Sequence, residues 1–191
     1  MKTYLAKRNH KSDSEAIKII SKYGVAKVLE INRDSILEEF VDFKVVPLGP
    51  KNLGSLLRKI HSEKDSSGIS LVHGDFGEHN TTRINGEPKC FDYEYAHFGN
   101  TYSDIGKVVL RNCDGWESFA DFFIYYNKKL PDPEEFKEGL IYFCDWQSSL
   151  RLEKDVPYSE VPLVRKNRLL RIKDKNLCRI LEAFKSGVNL K

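Results

Sequence analysis

The sequence has few of the features that mark secreted, zinc-stabilised or membrane proteins. Among 191 residues there are only four cysteines, and they are far apart and form no C-x-x-C pair: Cys90, Cys113, Cys144 and Cys178. This spacing indicates neither a zinc site nor a disulfide framework, so we expect buried free thiols. No run approaches the roughly 20 apolar residues of a membrane span, and the first residues lack the apolar core of a signal peptide. We therefore expect a cytoplasmic protein with no membrane partner.

An excess of either charge is also missing. The net charge is +3, which indicates no general affinity for nucleic acid. The exception is residues 165–175, where cations gather around Arg168 on a segment with the pattern of an amphipathic helix. This segment is either a solvated helix face or a docking site for an anionic acceptor such as a phosphorylated small molecule, a lipid headgroup or RNA.

The informative part of the chain is residues 71–80, which read LVHGDFGEHN. They place His, Asp and Asn in the order H-x-D-x-x-x-x-N, and Asp92 follows behind a second apolar run. ATP-dependent phosphoryl transfer needs a carboxylate and an amide to hold Mg²⁺, and a second carboxylate to accept the proton of the attacking hydroxyl. Asn80 and Asp92 are the candidates for the metal, and Asp75 is the candidate base. The alternative is that both aspartates are turn residues and Asn80 is a cap.

The surroundings of this motif favour the functional interpretation. Residues 69–72 have the composition of a strand, Asn85-Gly86 is a hairpin signal, and residues 88–91 form a second strand-like run that ends on Asp92. A strand, a loop and a hairpin would bring the polar side chains together.

The segments HGDFGEHN and FDYEYAHFGNTYSDIGK resemble the aminoglycoside phosphotransferase and choline kinase superfamily over residues 71–108. The resemblance implies that Asp75 is the catalytic base and that Asn80 and Asp92 bind Mg²⁺. Glu94 would contribute to a second metal or to the substrate side. It also implies two supporting residues, whose roles would be to brace the catalytic loop by hydrogen bonding and to accept backbone N–H bonds from it: His73 and Asp104.

An N-terminal nucleotide-binding lobe is expected over residues 1–43. Lys7, in a strand-like run, could reach the ATP phosphates if Glu15, or Asp13 in its place, fixes its ammonium group. Residues 12–24 have the pattern of a helix that would carry this glutamate, with a Ser/Asp start and a Gly24 stop. After two strand-like runs, at 25–31 and 35–41, the hinge that receives adenine is expected at Glu39, Phe40 and Val41, although Phe40 could equally be a core residue.

A larger helical lobe is expected over residues 44–191, after a connector at 44–51 that contains two prolines. In the superfamily this lobe builds the acceptor pocket, which makes several polar side chains candidate substrate contacts: Asp121, Asp145, Trp146, Gln147 and Arg168. The aromatic residues that share these helices at helical spacing are more often core.

We expect an α+β, protein-kinase-like bilobal fold and an enzyme that moves the ATP γ-phosphoryl, with Mg²⁺, to a hydroxyl of a small molecule. In complete kinases two strands and a glycine-rich loop precede the lysine strand, whereas here only Met1 and Lys2 do. We therefore expect a minimal N-terminal lobe without that loop. This keeps open a pseudokinase or nucleotide-binding scaffold, and the basic segment near Arg168 keeps open a kinase that acts on protein or RNA. The sequence indicates no oligomeric state.

Overall fold

The computed structural model of the protein describes residues 4–7, 13–32, 35–39 and 41–152, and of these residues 4–7, 35 and 144–152 are described by their backbone alone. The chain begins with a three-stranded antiparallel sheet in the order β1-β3-β2, made of β1 (Tyr4–Lys7), β2 (Val28–Ile31) and β3 (Ser35–Glu38). β2 carries an irregularity between Val28 and Glu30, which shifts its register against β3.

Helix α1 (Ser14–Ile20) connects β1 to β2 and continues into a short 3-10 turn, Ser21–Tyr23. The carboxylate of Asp13 caps the helix by accepting the N–H groups of Glu15 at 2.9 Å and Ala16 at 3.3 Å. Ala16, Ile17 and Ile20 are buried on one face. The predicted helix is therefore present with its predicted start, and the turn ends at Gly24.

A segment without regular structure, residues 41–49, leads from β3 to helix α2 (Pro50–Ser62). It is fastened to strand β5 (Thr81–Ile84) through Thr82, whose hydroxyl accepts the N–H of Val46 at 2.9 Å and donates to the carbonyl of Lys44 at 3.1 Å. The connector expected at 44–51 thus lies against the part of the chain that carries the motif.

The helical part is built on α2, α3 (Tyr102–Asn112), α4 (Trp116–Asn127) and α5 (Pro133–Leu152). α2 and α4 approach closely at Gly54, where an added Cβ would lie 2.4 Å from the carbonyl oxygen of Phe122. Phe119 and Phe123 pack with ring centroids 4.7 Å apart, and both are buried in the main core with Phe122 and Phe136. The aromatic pattern of these helices therefore forms the core.

Between α2 and α3 the chain forms two small antiparallel pairs. β4 (Leu71–Val72) pairs with β7 (His97–Phe98), and β5 pairs with β6 (Glu87–Cys90). The turn of the second pair is Asn85-Gly86, both with positive φ, 52° and 84°, as a tight hairpin requires. The hairpin predicted from the sequence is confirmed, and it holds the ends of the motif together.

The α+β class expected from the sequence is confirmed, while the boundary between residues 43 and 44 stays a prediction. Cys90 and Cys113 are buried free thiols, and burial raises the pKa of each to about 12. Among the described residues no helix is both long and apolar enough to cross a membrane. Phe40 and the basic segment around Arg168 lie outside the described residues.

Candidate active site

The loop between β4 and β5, residues 73–80, is closed by the side chain of Asn80. Its amide Nδ2 donates to the main-chain carbonyl of Asp75 and to the Asp75 carboxylate oxygen Oδ2, each at 3.0 Å. Asn80 is buried, whereas Asp75 is half-buried with 25% of its side chain exposed. The two bonds hold the candidate base and the candidate metal ligand side by side.

The hairpin places Asp92 at the same end of the site. Thr81 lies opposite Cys90, and one step further the N–H of Phe91 donates to the carbonyl of Asn80 at 3.0 Å. Asp92 is the next residue, in the left-handed region at φ 56°, with an exposed side chain. Its carboxylate has no hydrogen-bond or ion-pair partner in the described part of the chain. Non-glycine residues in this conformation cluster at functional sites.

His73 joins the loop to the segment before Asp92. Its Nε2 donates to the carbonyl of Phe91 at 3.1 Å, and its Nδ1 accepts the N–H of Asp75 at 3.3 Å. Complete burial lowers the pKa of His73, and the nearby charges of Asp104, Asp75 and Asp92 oppose this shift without reversing it. His73 is therefore a neutral imidazole that supports the loop.

The start of the loop is held by Asp104, the third residue of α3. Its Oδ2 accepts the N–H of His73 at 2.7 Å, and its Oδ1 accepts the N–H of Gly74 at 2.8 Å. Gly74 has φ 81°, and an added Cβ would lie 2.5 Å from the carbonyl oxygen of Tyr95, so only glycine fits. These bonds are those that the resemblance assigns to Asp104.

Two side chains that the sequence analysis did not single out complete the support of Asp104. His61 of α2 donates from Nε2 to Asp104 Oδ2 at 3.1 Å, which leaves its Nδ1 to accept the hydroxyl of Tyr126 at 2.8 Å. Burial would raise the pKa of Asp104, but the hydrogen bonds from the imidazole of His61 and from the backbone N–H of His73 outweigh it and lower the pKa. The carboxylate thus stays ionised inside the helical core.

Lys107 and His79 are the other residues that the sequence analysis missed. The ammonium group of Lys107 is in direct contact with Oδ1 of Asp75, and His79 Nε2 lies 3.4 Å from the same oxygen. Burial would raise the pKa of Asp75, but the hydrogen bond and charge of Lys107, helped by His79, lower it. The sequence signal that could have identified Lys107 is helical spacing, because Lys107 follows Asp104 by three residues and so lies on the same face of α3.

Solved structures with a similar fold were found. A choline/ethanolamine kinase family protein from Mesorhizobium loti is 14% identical and has a TM-score of 0.58, with 97% of this chain and 87% of that chain covered. The AMP-bound spectinomycin phosphotransferase is 12% identical with a TM-score of 0.53, covering 98% and 88%. An ADP-bound aminoglycoside phosphotransferase is 12% identical with a TM-score of 0.52, covering 96% and 94%.

The chain has the fold of these phosphotransferases. No protein-family model matches the sequence, and no match was found among the curated proteins. The resemblance stated from residues 71–108 is thus confirmed at the level of the fold, over nearly the whole chain.

Other residues expected at a phosphotransferase site are only partly described. Glu15 is exposed in the first turn of α1, and since Lys7 is described by its backbone alone, their ion pair stays a prediction. The N–H of Glu39 donates to the carbonyl of Lys27 at 2.9 Å, so this N–H is not free to bind adenine. The Glu39 carbonyl and Val41, which is half-buried in the connecting segment, stay hinge candidates, and Phe40, which lies outside the described residues, stays a prediction.

The expected substrate contacts on the helices are also open. Asp145, Trp146 and Gln147 lie in α5, in the part described by backbone alone, and stay predictions. Asp121 of α4 instead forms an exposed ion pair with Lys51 of α2, at 3.6 Å, so in this structure its side chain links two helices.

The candidate ligands for Mg²⁺ are oxygen atoms of Asn80 and Asp92. Within the described residues no group of three or more His, Cys, Asp or Glu side chains could hold a metal ion. Mg²⁺ keeps most of its waters, however, and is bound in kinases by one or two protein oxygens together with phosphate. Asn80 has its Nδ2 bonded to Asp75, which leaves its Oδ1 for a metal, and among the described residues the Asp92 carboxylate has no hydrogen-bond or ion-pair partner. Glu94 follows in the turn after Tyr93. The donor set therefore fits Mg²⁺ bound together with a polyphosphate.

A prediction about pH follows from the burial of His73. Its pKa is lowered from 6.5 in the folded protein, so the unfolded chain gains a proton on this residue more readily than the folded chain does. The contribution of neutral His73 to stability is thus fully present above 6.5 and is lost as the pH falls below that value. Urea unfolding between about pH 5 and pH 8 should show a declining free energy of unfolding on the acid side. The decline should be weaker in His73→Gln but unchanged in His97→Gln, and an equal decline in both variants would contradict it.

Proposed function

We propose that the protein is a phosphotransferase that moves the γ-phosphoryl group of Mg-ATP to a hydroxyl group of a small molecule. The observation that carries this proposal is the pair of bonds from the Asn80 side chain to Asp75, together with the hairpin bond from Phe91, the residue before Asp92, to Asn80. The nucleotide complexes and acceptor names of the structural neighbours support the same chemistry.

In the proposed reaction, Asp75 accepts a hydrogen bond from the acceptor hydroxyl and orients its oxygen toward the γ-phosphorus. The new bond forms between that oxygen and phosphorus, the bond to the ADP oxygen breaks, and the hydroxyl proton passes to Asp75 and then to solvent. Mg²⁺, when bound, neutralises the charge of the polyphosphate. Asn80 and Asp92 would hold it, and Lys7, aimed by Glu15, would contact the phosphates.

Two parts of the site have no direct role in bond making. His73 is neutral and fully hydrogen-bonded, and Asp104 is fully buried, so neither touches the acceptor. They keep the loop in one geometry, and such positioning is the main contribution of a protein to phosphoryl transfer.

The test is a transfer assay with γ-labelled ATP against pools of amino alcohols, aminocyclitols and sugars, beside a thermal-shift titration with Mg-ATP. Labelling of a small acceptor supports the proposal. Stabilisation by Mg-ATP without transfer to any acceptor or to water would indicate a nucleotide-binding scaffold instead. Labelling of the protein itself, or of added protein or RNA, would indicate a macromolecular kinase.

A separate prediction concerns the metal. Asp92→Ala is expected to abolish the part of the ATP-induced thermal shift that requires Mg²⁺, because the variant lacks the carboxylate that would hold that ion together with Asn80. The shift is measured with ATP in the presence of Mg²⁺ and in the presence of a chelator. Glu87→Ala, which removes an exposed carboxylate at the opposite end of the same hairpin, is the matched control. A Mg²⁺-dependent shift that survives in Asp92→Ala would rule out this ligand.

A further inference from the structure

Lys107 is a buried cation in the candidate active site. Only 8% of its side chain is exposed, although it lies within a helix beside the catalytic loop. Lysine is seldom buried to this extent unless its charge is paired. In the part of the chain that the structure describes, its ion-pair partner is Asp75. The buried ammonium group of Lys107 therefore contacts the residue that is proposed to act on the acceptor hydroxyl.

The contacts of Asp75 show what this pairing does to the carboxylate. An ionised carboxylate has about four lone-pair positions, two on each oxygen. Oδ1 faces both Lys107 and His79, and Oδ2 accepts one bond from Asn80. Both positions on Oδ1 are thus occupied by cationic or ring N–H groups, and one position on Oδ2 remains. An acceptor hydroxyl that binds Asp75 without displacing a partner must bind there.

Charge gives a second reason for the arrangement. A bare carboxylate near the γ-phosphate would repel the incoming polyphosphate, and in a partly desolvated site that repulsion is poorly screened. Lys107 offsets the negative charge of Asp75 without occupying Oδ2. Because Lys107 is fixed in α3 beside Asp104, the same helix supports both the backbone and the reactive side chain of the loop.

We propose that Lys107 is a positioning residue for phosphoryl transfer, which holds Oδ1 of Asp75 so that Oδ2 faces the acceptor hydroxyl. This inference rests on the proposed function, because it assigns a role within that reaction. Lys107 acts through Asp75 and is not itself a group that exchanges protons or bonds with the substrate.

The experiment combines Lys107→Met, Lys107→Arg and Asp75→Asn in the full chain, with Lys51→Met as the control. Lys51 also pairs with an aspartate, Asp121, but 54% of its side chain is exposed and its partner is on α4, outside the loop. Lys107→Met is expected to lower kcat by about 10- to 100-fold, as misplacement of a reacting group does. The KM for Mg-ATP should rise by a smaller factor than kcat falls, because the uncompensated charge of Asp75 repels the polyphosphate. Lys107→Arg, which keeps the charge, should recover part of both losses. Lys51→Met should leave kcat unchanged.

Two further readouts separate positioning from simple support of the fold. In an Asp75→Asn background, Lys107→Met should cause no further loss of kcat, because the residue through which Lys107 acts is already neutral. Asp75→Asn and the Asp75→Asn/Lys107→Met double variant are also compared by urea unfolding without nucleotide. If Lys107→Met does not fold, Lys107→Gln, which keeps an amide donor for Oδ1, takes its place and should give a smaller loss.

The outcomes distinguish this inference from the function on which it rests. A wild-type protein that transfers no phosphoryl group overturns the proposed function, and this inference with it. An active wild type whose kcat is undiminished by loss of Lys107 overturns the inference alone. The inference is also overturned if the loss of kcat in the double variant equals the product of the losses in Lys107→Met and Asp75→Asn. That result would show that Lys107 does not act through Asp75.

Discussion

Asp75→Asn is expected to lower kcat for phosphoryl transfer by about 10²- to 10⁴-fold, the usual contribution of general-base catalysis. The amide has nearly the shape of the carboxylate and can still accept the Asn80 bond through its oxygen, which turns its NH₂ group toward Lys107. The bonds from Asp104 to the backbone of the loop are untouched, so the loop should keep its geometry. What it lacks is an anionic oxygen to orient the acceptor hydroxyl and receive its proton. The variant should therefore retain the thermal shift caused by Mg-ATP while losing turnover.

The measurement pairs a steady-state assay with a thermal-shift titration, and Glu78→Gln is the matched control. Glu78 lies in the same loop, three residues after Asp75, with an exposed side chain. Glu78→Gln removes the same charge from the loop as Asp75→Asn does. Because Glu78 has no part in the proposed reaction, kcat of this variant should stay close to that of the wild type. Normal turnover in Asp75→Asn would show that the base has been assigned to the wrong residue.

Asp104→Ala is expected to cost about 3–5 kcal/mol of stability, the largest loss of any single polar substitution discussed for this site. The reason is that one carboxylate serves three donors, the N–H groups of His73 and Gly74 and the imidazole of His61. Removing it leaves two backbone N–H groups unpaired in a buried position. The loop that carries Asp75 should lose its fixed geometry as well, so kcat should fall even where the protein is still folded.

Urea unfolding measures the first effect, and the transfer assay, run well below the unfolding midpoint, measures the second. Asp121→Ala is the comparison, because it removes an aspartate from an ion pair that is largely in contact with solvent. Such pairs contribute up to about 1 kcal/mol. If Asp104→Ala unfolded at the same urea concentration as Asp121→Ala, the carboxylate would not be the support of the loop.

The parts of the fold that the sequence predicts are those set by neighbouring residues. The cap at Asp13 and the hairpin turn at Asn85-Gly86 depend on a few adjacent side chains, and both are found where expected. The order of Asp75, Asn80 and Asp92 has the same local character, since one loop and one hairpin bring them together. Short-range rules therefore suffice for the centre of the candidate site.

The parts that the sequence does not predict depend on packing between distant elements. Lys107 is 32 residues from Asp75, and His61 is 43 residues from Asp104. These pairs form only because α2, α3 and α4 pack around the base of the loop. The bond from the N–H of Glu39 to the carbonyl of Lys27, which occupies one of the expected hinge groups, likewise depends on the register between β2 and β3. The sequence does not indicate which residue a single polar side chain on an apolar helix, such as His61 or Lys107, will contact.

The attachment of the loop to three helices has a consequence for substrate binding. His61, Asp104 and Tyr126 come from α2, α3 and α4, so the loop is anchored in the body of the protein through groups that no substrate has to displace. Its conformational entropy is lost when the chain folds, not when a ligand arrives. Binding free energy of an acceptor is therefore not consumed in ordering the loop, and remains available for discrimination between acceptors.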